Sequence, residues 1–261
     1  MKYQRVVLSM VMVGLLVLGA GVMAFGGEKP LYVDGIDAAF PPFSYIDKNG
    51  NATGFDVEVV RWIANEMGFD VKIVPVDWDA IIPALKAGNI DFIASGMTIT
   101  PERQKQVDFT DPYWKINLAV VVRKVKKNGV FVPQYNIFSA VSPGRTIGVQ
   151  RGTTSQTWLE KNLIDKGVDI KLKMYDNFLL AIEDLLIGRI DAAVIDAPTA
   201  QAAIAGREAA IVGTINTGEI YGYAVRKGDT KLLALLNEGL KRIKASPEWD
   251  KLVEKWLVGS Q

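Results

Sequence analysis

Trp78-Asp-Ala-Ile-Ile-Pro-Ala-Leu-Lys-Ala-Gly-Asn-Ile-Asp-Phe-Ile-Ala-Ser-Gly-Met-Thr-Ile-Thr-Pro-Glu-Arg103 decides the reading of this chain. Trp78 to Ala87 carries helical spacing and Gly88 stops it, after which Asp91 to Ala94 is a short apolar strand. Thr100 is suited to cap a following helix and Pro101 to occupy its first position. The small and hydroxyl residues before them leave backbone N–H groups free for an anion, and Arg103 adds a planar, permanently charged fork. The stretch therefore reads as half of a ligand site.

The pattern returns one hundred positions later. Trp78 aligns with Phe178, Ile82 with Ile182, Leu85 with Leu185, and Gly88-Asn-Ile-Asp91 with Gly188-Arg-Ile-Asp191, each followed by an apolar strand. Agreement of helix, turn and strand spacing predicts two α/β units of related design with a cleft between them. Asp91 and Asp191, at a turn-to-strand junction, read as structural residues, as do Asp108 and Asp111.

Outward from these repeats, Leu31 to Ile36 reads as a first strand and 54–67 as a helix with Val57, Val60, Ile63, Ala64 and Met67 on one face. Strands are expected at 69–76, 118–123, 146–149, 190–195 and 222–225. Further helices are expected at 155–162, 177–187, 231–244 and 248–257. Strand and helix alternation indicates a mainly parallel sheet in each unit, with ligands outside the carboxyl ends of the strands. The runs at 118–123 and 222–225 flank the second repeat and are expected to be the two crossing strands.

Of the 261 residues, 49% are hydrophobic and 23% charged, with a formal net charge of +1, so an ordered core is expected. The absence of any long Lys/Arg run argues against nucleic acid, whose backbone demands a clustered basic face. Val6 to Phe25 is an uninterrupted apolar run behind Lys2 and Arg5, the pattern of an export signal, and long enough to serve as an N-terminal anchor instead. There is no cysteine and no histidine. Disulfides, thiolate or histidine metal sites, a lipidated cysteine and a Ser-His-Asp triad are thereby excluded.

Beyond the quoted stretch, Val107-Asp-Phe-Thr-Asp-Pro-Tyr113, Gly54-Phe-Asp-Val-Glu58, Gly148-Val-Gln-Arg-Gly-Thr-Thr154 and Asp196-Ala-Pro198 follow in order. Together these resemble the polar amino-acid solute-binding proteins of ABC importers, in the group that binds lysine, arginine and ornithine, histidine or glutamine. The resemblance covers nearly the whole chain after the export segment. It implies the two-lobed α/β type II periplasmic-binding-protein fold, two mixed sheets flanked by helices and joined by two crossing strands. Lobe 1 would be discontinuous, 28–117 and 222–261, with 118–221 as lobe 2 and 1–27 as signal peptide or anchor.

The resemblance also implies residue roles. Arg103 would pair with a ligand α-carboxylate, helped by Thr98 and Thr154, and Asp196 would receive the α-ammonium, completed by Ser95 and the carbonyl of Gly96. Phe40 and Trp78 would stack on the ligand side chain, Asp37 would face its far end, and Gln150 would line the second-lobe wall. Each has a plainer alternative: Arg103 as a surface ion pair, Asp196 as a helix cap, Phe40 and Trp78 as core aromatics, Asp37 as a loop-turn aspartate. A carboxylate beside aromatic faces favours a cationic side chain, arginine or lysine first, with an amide such as glutamine as the alternative.

The expected protein is thus a periplasmic or otherwise extracytoplasmic, monomeric binding protein, not an enzyme, without cofactor or metal. Its partners would be a free amino acid and the membrane subunits of an importer. A cyclohexadienyl dehydratase-like enzyme of the same fold, or a ligand-sensing receptor module, is the competing class.

Overall fold

The computed structural model describes residues 29–258. The expected export or anchor segment, 1–27, lies outside the described residues. Two mixed sheets organise the chain. The first has the strand order 70–75, 31–36, 92–93, 224–226, 107–109. Its first three strands run parallel and 224–226 returns antiparallel between 92–93 and 107–109. The second has the order 171–175, 146–150, 192–196, 114–127, 209–221, with 130–133 paired beside 114–127.

The repeat is visible atom by atom. The helices Trp78–Ala87 and Phe178–Leu186 are each followed by a glycine in the left-handed region, Gly88 at φ 79° and Gly188 at φ 78°. Asp91 then accepts the Val33 N–H at 2.8 Å, and Asp191 accepts the Thr146 N–H at 2.9 Å. Each aspartate thus ties its turn to the strand second from the edge of its own sheet. A methyl group on Gly35 would fall 2.4 Å from Ile90, and one on Gly148 would fall 2.6 Å from Ile190. Both strands need glycine where the isoleucine after the turn packs over the backbone.

The helix Phe55–Met67 buries Val57, Val60, Ile63 and Ala64 as its spacing requires, with Met67 half-buried at its end. Gly68 closes it in the left-handed conformation. Helix Thr230–Lys244 packs across it, close enough that a methyl on Gly239 would meet Ile63 at 2.4 Å.

The crossing segments differ from expectation. The first strand is longer than 118–123, running Trp114–Lys127, and its partner is Ala209–Tyr221 rather than 222–225. Ala224–Arg226 is an interior strand of the first sheet. Segment 209–221 escapes a hydrophobicity reading because its apolar residues are interrupted by Gly213-Thr214 and Asn216-Thr-Gly-Glu219, and it is largely half-exposed and broken by register shifts at Ile211/Gly213 and Ile215/Glu219. The edge strand Lys171–Tyr175 was hidden similarly, since it is mostly exposed and alternates with lysine. Strands 107–109 and 130–133 and helix Ala197–Ile204 are also additions to the expected elements.

Candidate functional site

The loops that leave the carboxyl ends of strands in the two sheets face each other, as open α/β sheets place their ligand sites. From the first sheet come Asp37 after strand 31–36 and Ser95-Gly96 after strand 92–93, with Trp78 and Arg103 on the following helices. From the second come Gln150-Arg-Gly-Thr-Thr154 at the end of strand 146–150 and Asp196 at the end of strand 192–196. Asp37, Phe40, Trp78, Gly96, Thr98, Arg103, Gln150, Thr154 and Asp196 line one enclosed space, together with Thr153. That space is ≈ 10 Å³ and adjoins a wider opening of ≈ 460 Å³ bordered by Arg103, Gly152, Thr154 and Glu219. An amino acid needs more room than the enclosed part provides, so its entry requires the facing loops to separate.

Arg103 is positioned by a short helix, Pro101–Gln104, whose cap Thr100 accepts the Arg103 N–H at 3.1 Å. Its guanidinium donates to the Thr98 carbonyl at 2.9 Å and across the cleft to the Gly152 carbonyl at 3.2 Å, and lies 5.2 Å over the Trp78 ring. Trp78 donates its indole N–H to the same Gly152 carbonyl at 3.2 Å. Further cross-cleft pairs, Arg151 with Asp79 at 3.5 Å and Lys161 with Glu102 at 3.8 Å, are exposed and weakly held.

Asp196 precedes helix Ala197–Ile204 in the capping position, yet its side chain makes no cap bond. Its carboxylate lines the enclosed space, buried, with Oδ1 lacking a hydrogen-bond partner among the described residues. Burial pushes its pKa up to about 7, the Glu219 charge adds to the rise, and Tyr221 and Arg103 oppose it. A buried acid so placed gains from a cation brought beside it.

Asp37 is buried and accepts the Gln150 amide at 2.7 Å and the Ala39 N–H at 2.9 Å. Burial raises its pKa, while those two hydrogen bonds pull it down. Ser95 is placed differently from its expected part in an ammonium site. Its hydroxyl accepts the Asp37 N–H at 2.9 Å and shares a hydrogen with Ser44 at 2.7 Å, and it does not line the space. Ser95 instead fixes the backbone that presents Asp37.

Gly96 has φ 56°, and a methyl there would fall 2.5 Å from the Phe40 ring and 3.2 Å from Tyr221. Its N–H is held by Asp56 at 2.7 Å, which also accepts the Tyr113 hydroxyl at 2.9 Å. Asp56 belongs to the Gly-Phe-Asp motif at 54–56, but its work at Gly96 was not foreseen. Glu219 was not foreseen either. One of its oxygens, Oε2, accepts hydrogens from Thr98 at 3.0 Å and from Thr154 at 2.7 Å.

Two facing α/β lobes with an arginine, a buried carboxylate and aromatic walls between them define a cleft-binding protein of the periplasmic type. The chain belongs to the bacterial extracellular solute-binding proteins, family 3, whose model matches residues 32–259. It is 35% identical over 242 residues to an L-arginine-binding protein of Pseudomonas aeruginosa, covering 89% of this chain and 90% of that one. An ancestral arginine-binding protein bound to arginine is 41% identical with a TM-score of 0.79, covering 88% of this chain and 100% of that one. An ancestral arginine-binding protein bound to glutamine is 40% identical, also with a TM-score of 0.79, covering 88% and 99%. An ancestral amino acid-binding protein that is a precursor of cyclohexadienyl dehydratase is 39% identical, TM-score 0.76, covering 87% and 95%.

Proposed function

We propose that this chain binds a free basic amino acid, arginine first, in the cleft between its lobes and delivers it to the membrane subunits of an ABC importer. One observation carries the reading: Arg103, Asp196 and Asp37 border the same small space. Arg103 would pair with the α-carboxylate, Asp196 would accept the α-ammonium with the Gly96 carbonyl, and Asp37 would meet the distal group. Thr98 and Thr154 would supply hydroxyls to the carboxylate, Phe40 and Trp78 would flank the side chain, and Gln150 would wall the second side. Two carboxylates and one arginine make the set net acidic, which supports a cationic side chain over a neutral one. The arginine-binding relatives support the same choice, and the glutamine-bound neighbour keeps an amide ligand as the nearest competitor.

Ligand contacts from both sheets would favour the closed arrangement by differential affinity, and the importer would read that closure. We place lobe 1 at 28–117 and 222–261 and lobe 2 at 118–221, and the working protein as an exported monomer outside the cytoplasm. Isothermal titration with arginine, lysine, ornithine and glutamine tests the function. Binding confined to the basic ligands supports it, and glutamine alone would move the specificity to an amide.

A second reading draws on Asp196 itself. A carboxyl with a pKa of about 7 is a competent general acid near neutral pH, as a dehydratase of this fold would need. Incubation with arogenate or prephenate separates the two: loss of either compound establishes catalysis, and binding without turnover leaves the transport role.

A further inference from the structure

Each threonine hydroxyl carries a single hydrogen to donate. Thr98 and Thr154, the two hydroxyls assigned above to a ligand carboxylate, both give theirs to Oε2 of Glu219, at 3.0 Å and 2.7 Å. They come from opposite sides of the cleft. Thr98 bridges to Tyr221 beside the first sheet, and Thr154 opens the helix Thr154–Asn162 that follows strand 146–150 of the second. Glu219 stands on the crossing strand Ala209–Tyr221, at the resumption of pairing after the register shift between Ile215 and Glu219. It borders the wider opening alongside Arg103 and Thr154. Its charge also acts on both groups that would hold the ends of an amino acid, Arg103 and Asp196.

We propose that Glu219 is a built-in competitor for the ligand's carboxylate, occupying its hydroxyl donors and yielding them only when a ligand enters. The inference rests on the amino-acid-binding reading above and deepens it by naming a residue that sets the threshold for the carboxylate end. Two carboxylates cannot take the same two hydrogens, and their like charges repel at close range. A ligand therefore has to displace Glu219, at a cost in affinity, or forgo both hydroxyls and depend on Arg103 and backbone N–H groups. A ligand whose carboxylate is replaced by a neutral amide meets less of this competition, since it brings no second negative charge.

The test is titration of wild type, Glu219→Gln and Glu219→Ala with arginine and with argininamide, which keeps the guanidinium and ammonium but carries a neutral amide. Competition predicts that Glu219→Gln binds arginine at least about tenfold more tightly than wild type, the equivalent of one charge-assisted hydrogen bond. Argininamide should change less than about threefold, and Glu219→Ala should repeat this difference between the two ligands. Unchanged or weaker arginine binding in both variants would overturn the proposal and make Glu219 a lobe fastener or an ammonium partner. Wild-type protein that binds no amino acid would overturn the functional reading together with this inference, whereas wild-type binding without the gain overturns the inference alone.

Discussion

Gln150 donates its side-chain amide to the Asp37 carboxylate at 2.7 Å, joining loops that leave different sheets and lie 113 positions apart in the chain. The same amide nitrogen also reaches the Asp176 carbonyl at 3.2 Å. A neutral amide thus covers the acid that the functional reading reserves for the far end of a ligand. Any distal group that pairs with Asp37 has to move Gln150 aside, and a guanidinium gains more from a carboxylate than an amide does. Gln150→Ala is therefore expected to keep arginine binding within about tenfold, while Asp37→Asn removes the preference for arginine over glutamine. Competition titrations with the two amino acids read both effects.

Arg103→Ala is expected to weaken amino-acid binding by about 2 to 5 kcal/mol, because a ligand carboxylate would be enclosed without its charged partner. Arg103→Lys should recover only part of this, since an ammonium cannot supply the planar pair of donors. Calorimetry of both variants against wild type checks the order, and retained affinity in Arg103→Ala would place the carboxylate elsewhere.

Binding should weaken in acid. Asp196 has its pKa pushed up to about 7, and only its ionised form accepts an ammonium. Ligand binding favours loss of that proton, so affinity is full above pH 7 and falls by up to about tenfold per pH unit below it. The carboxylate of the ligand and the Arg103 guanidinium do not titrate in that range. Asp196→Asn should bind weakly at every pH and lose its share of the dependence, leaving that of Asp37, whose pKa burial also raises. A flat affinity profile from pH 5 to 8 in wild type would separate Asp196 from the ammonium.

Fold stability carries its own pH signature. Burial raises the pKa of Asp56 to about 7, against the Tyr113 and Gly96 hydrogen bonds that lower it, and it raises that of the neighbouring Asp34 as well. A raised carboxyl pKa means that the folded state binds more protons than the unfolded chain between about pH 4 and 7. The stabilisation from this proton is complete below the unfolded value and is lost as pH rises through 7. Asp56→Asn should flatten part of that slope in thermal melts, leaving the shares due to Asp34, Asp196 and Asp37, whose pKa values burial also raises.

Gly96→Ala sets a side chain where the backbone holds φ 56° and where Phe40 lies 2.5 Å away. The expected cost is about 1 to 3 kcal/mol of stability, with weaker binding because Phe40 must leave its place beside the site. Parallel melting and titration of this variant separate the two losses.

Much of the architecture was legible because it is written in glycines and periodic apolar residues. Gly88 and Gly188 stop matching helices, and Asp91 and Asp191 repeat the same contact in each sheet. Arg103 was visible through its cap and proline, and Asp196 through the Ala-Pro that follows it. Glu219 left no such mark, being a lone acid in a Thr- and Gly-rich strand whose partners, Thr98 and Thr154, are 121 and 65 positions away. The Gly152 carbonyl, which receives both Trp78 and Arg103, is backbone and has no signature in side-chain chemistry. Ser95 was expected at the ammonium from the family resemblance, whereas in the fold its hydroxyl is turned to Asp37 and Ser44.

The central claim is that the cleft holds a basic amino acid by its two ends. Its most direct test is a thermal-shift screen of the purified protein against the twenty amino acids plus ornithine, since a ligand that binds only the folded state raises the midpoint. The largest rise is expected with arginine, smaller rises with lysine and ornithine, and little with glutamate or leucine. No shift with any amino acid would contradict it.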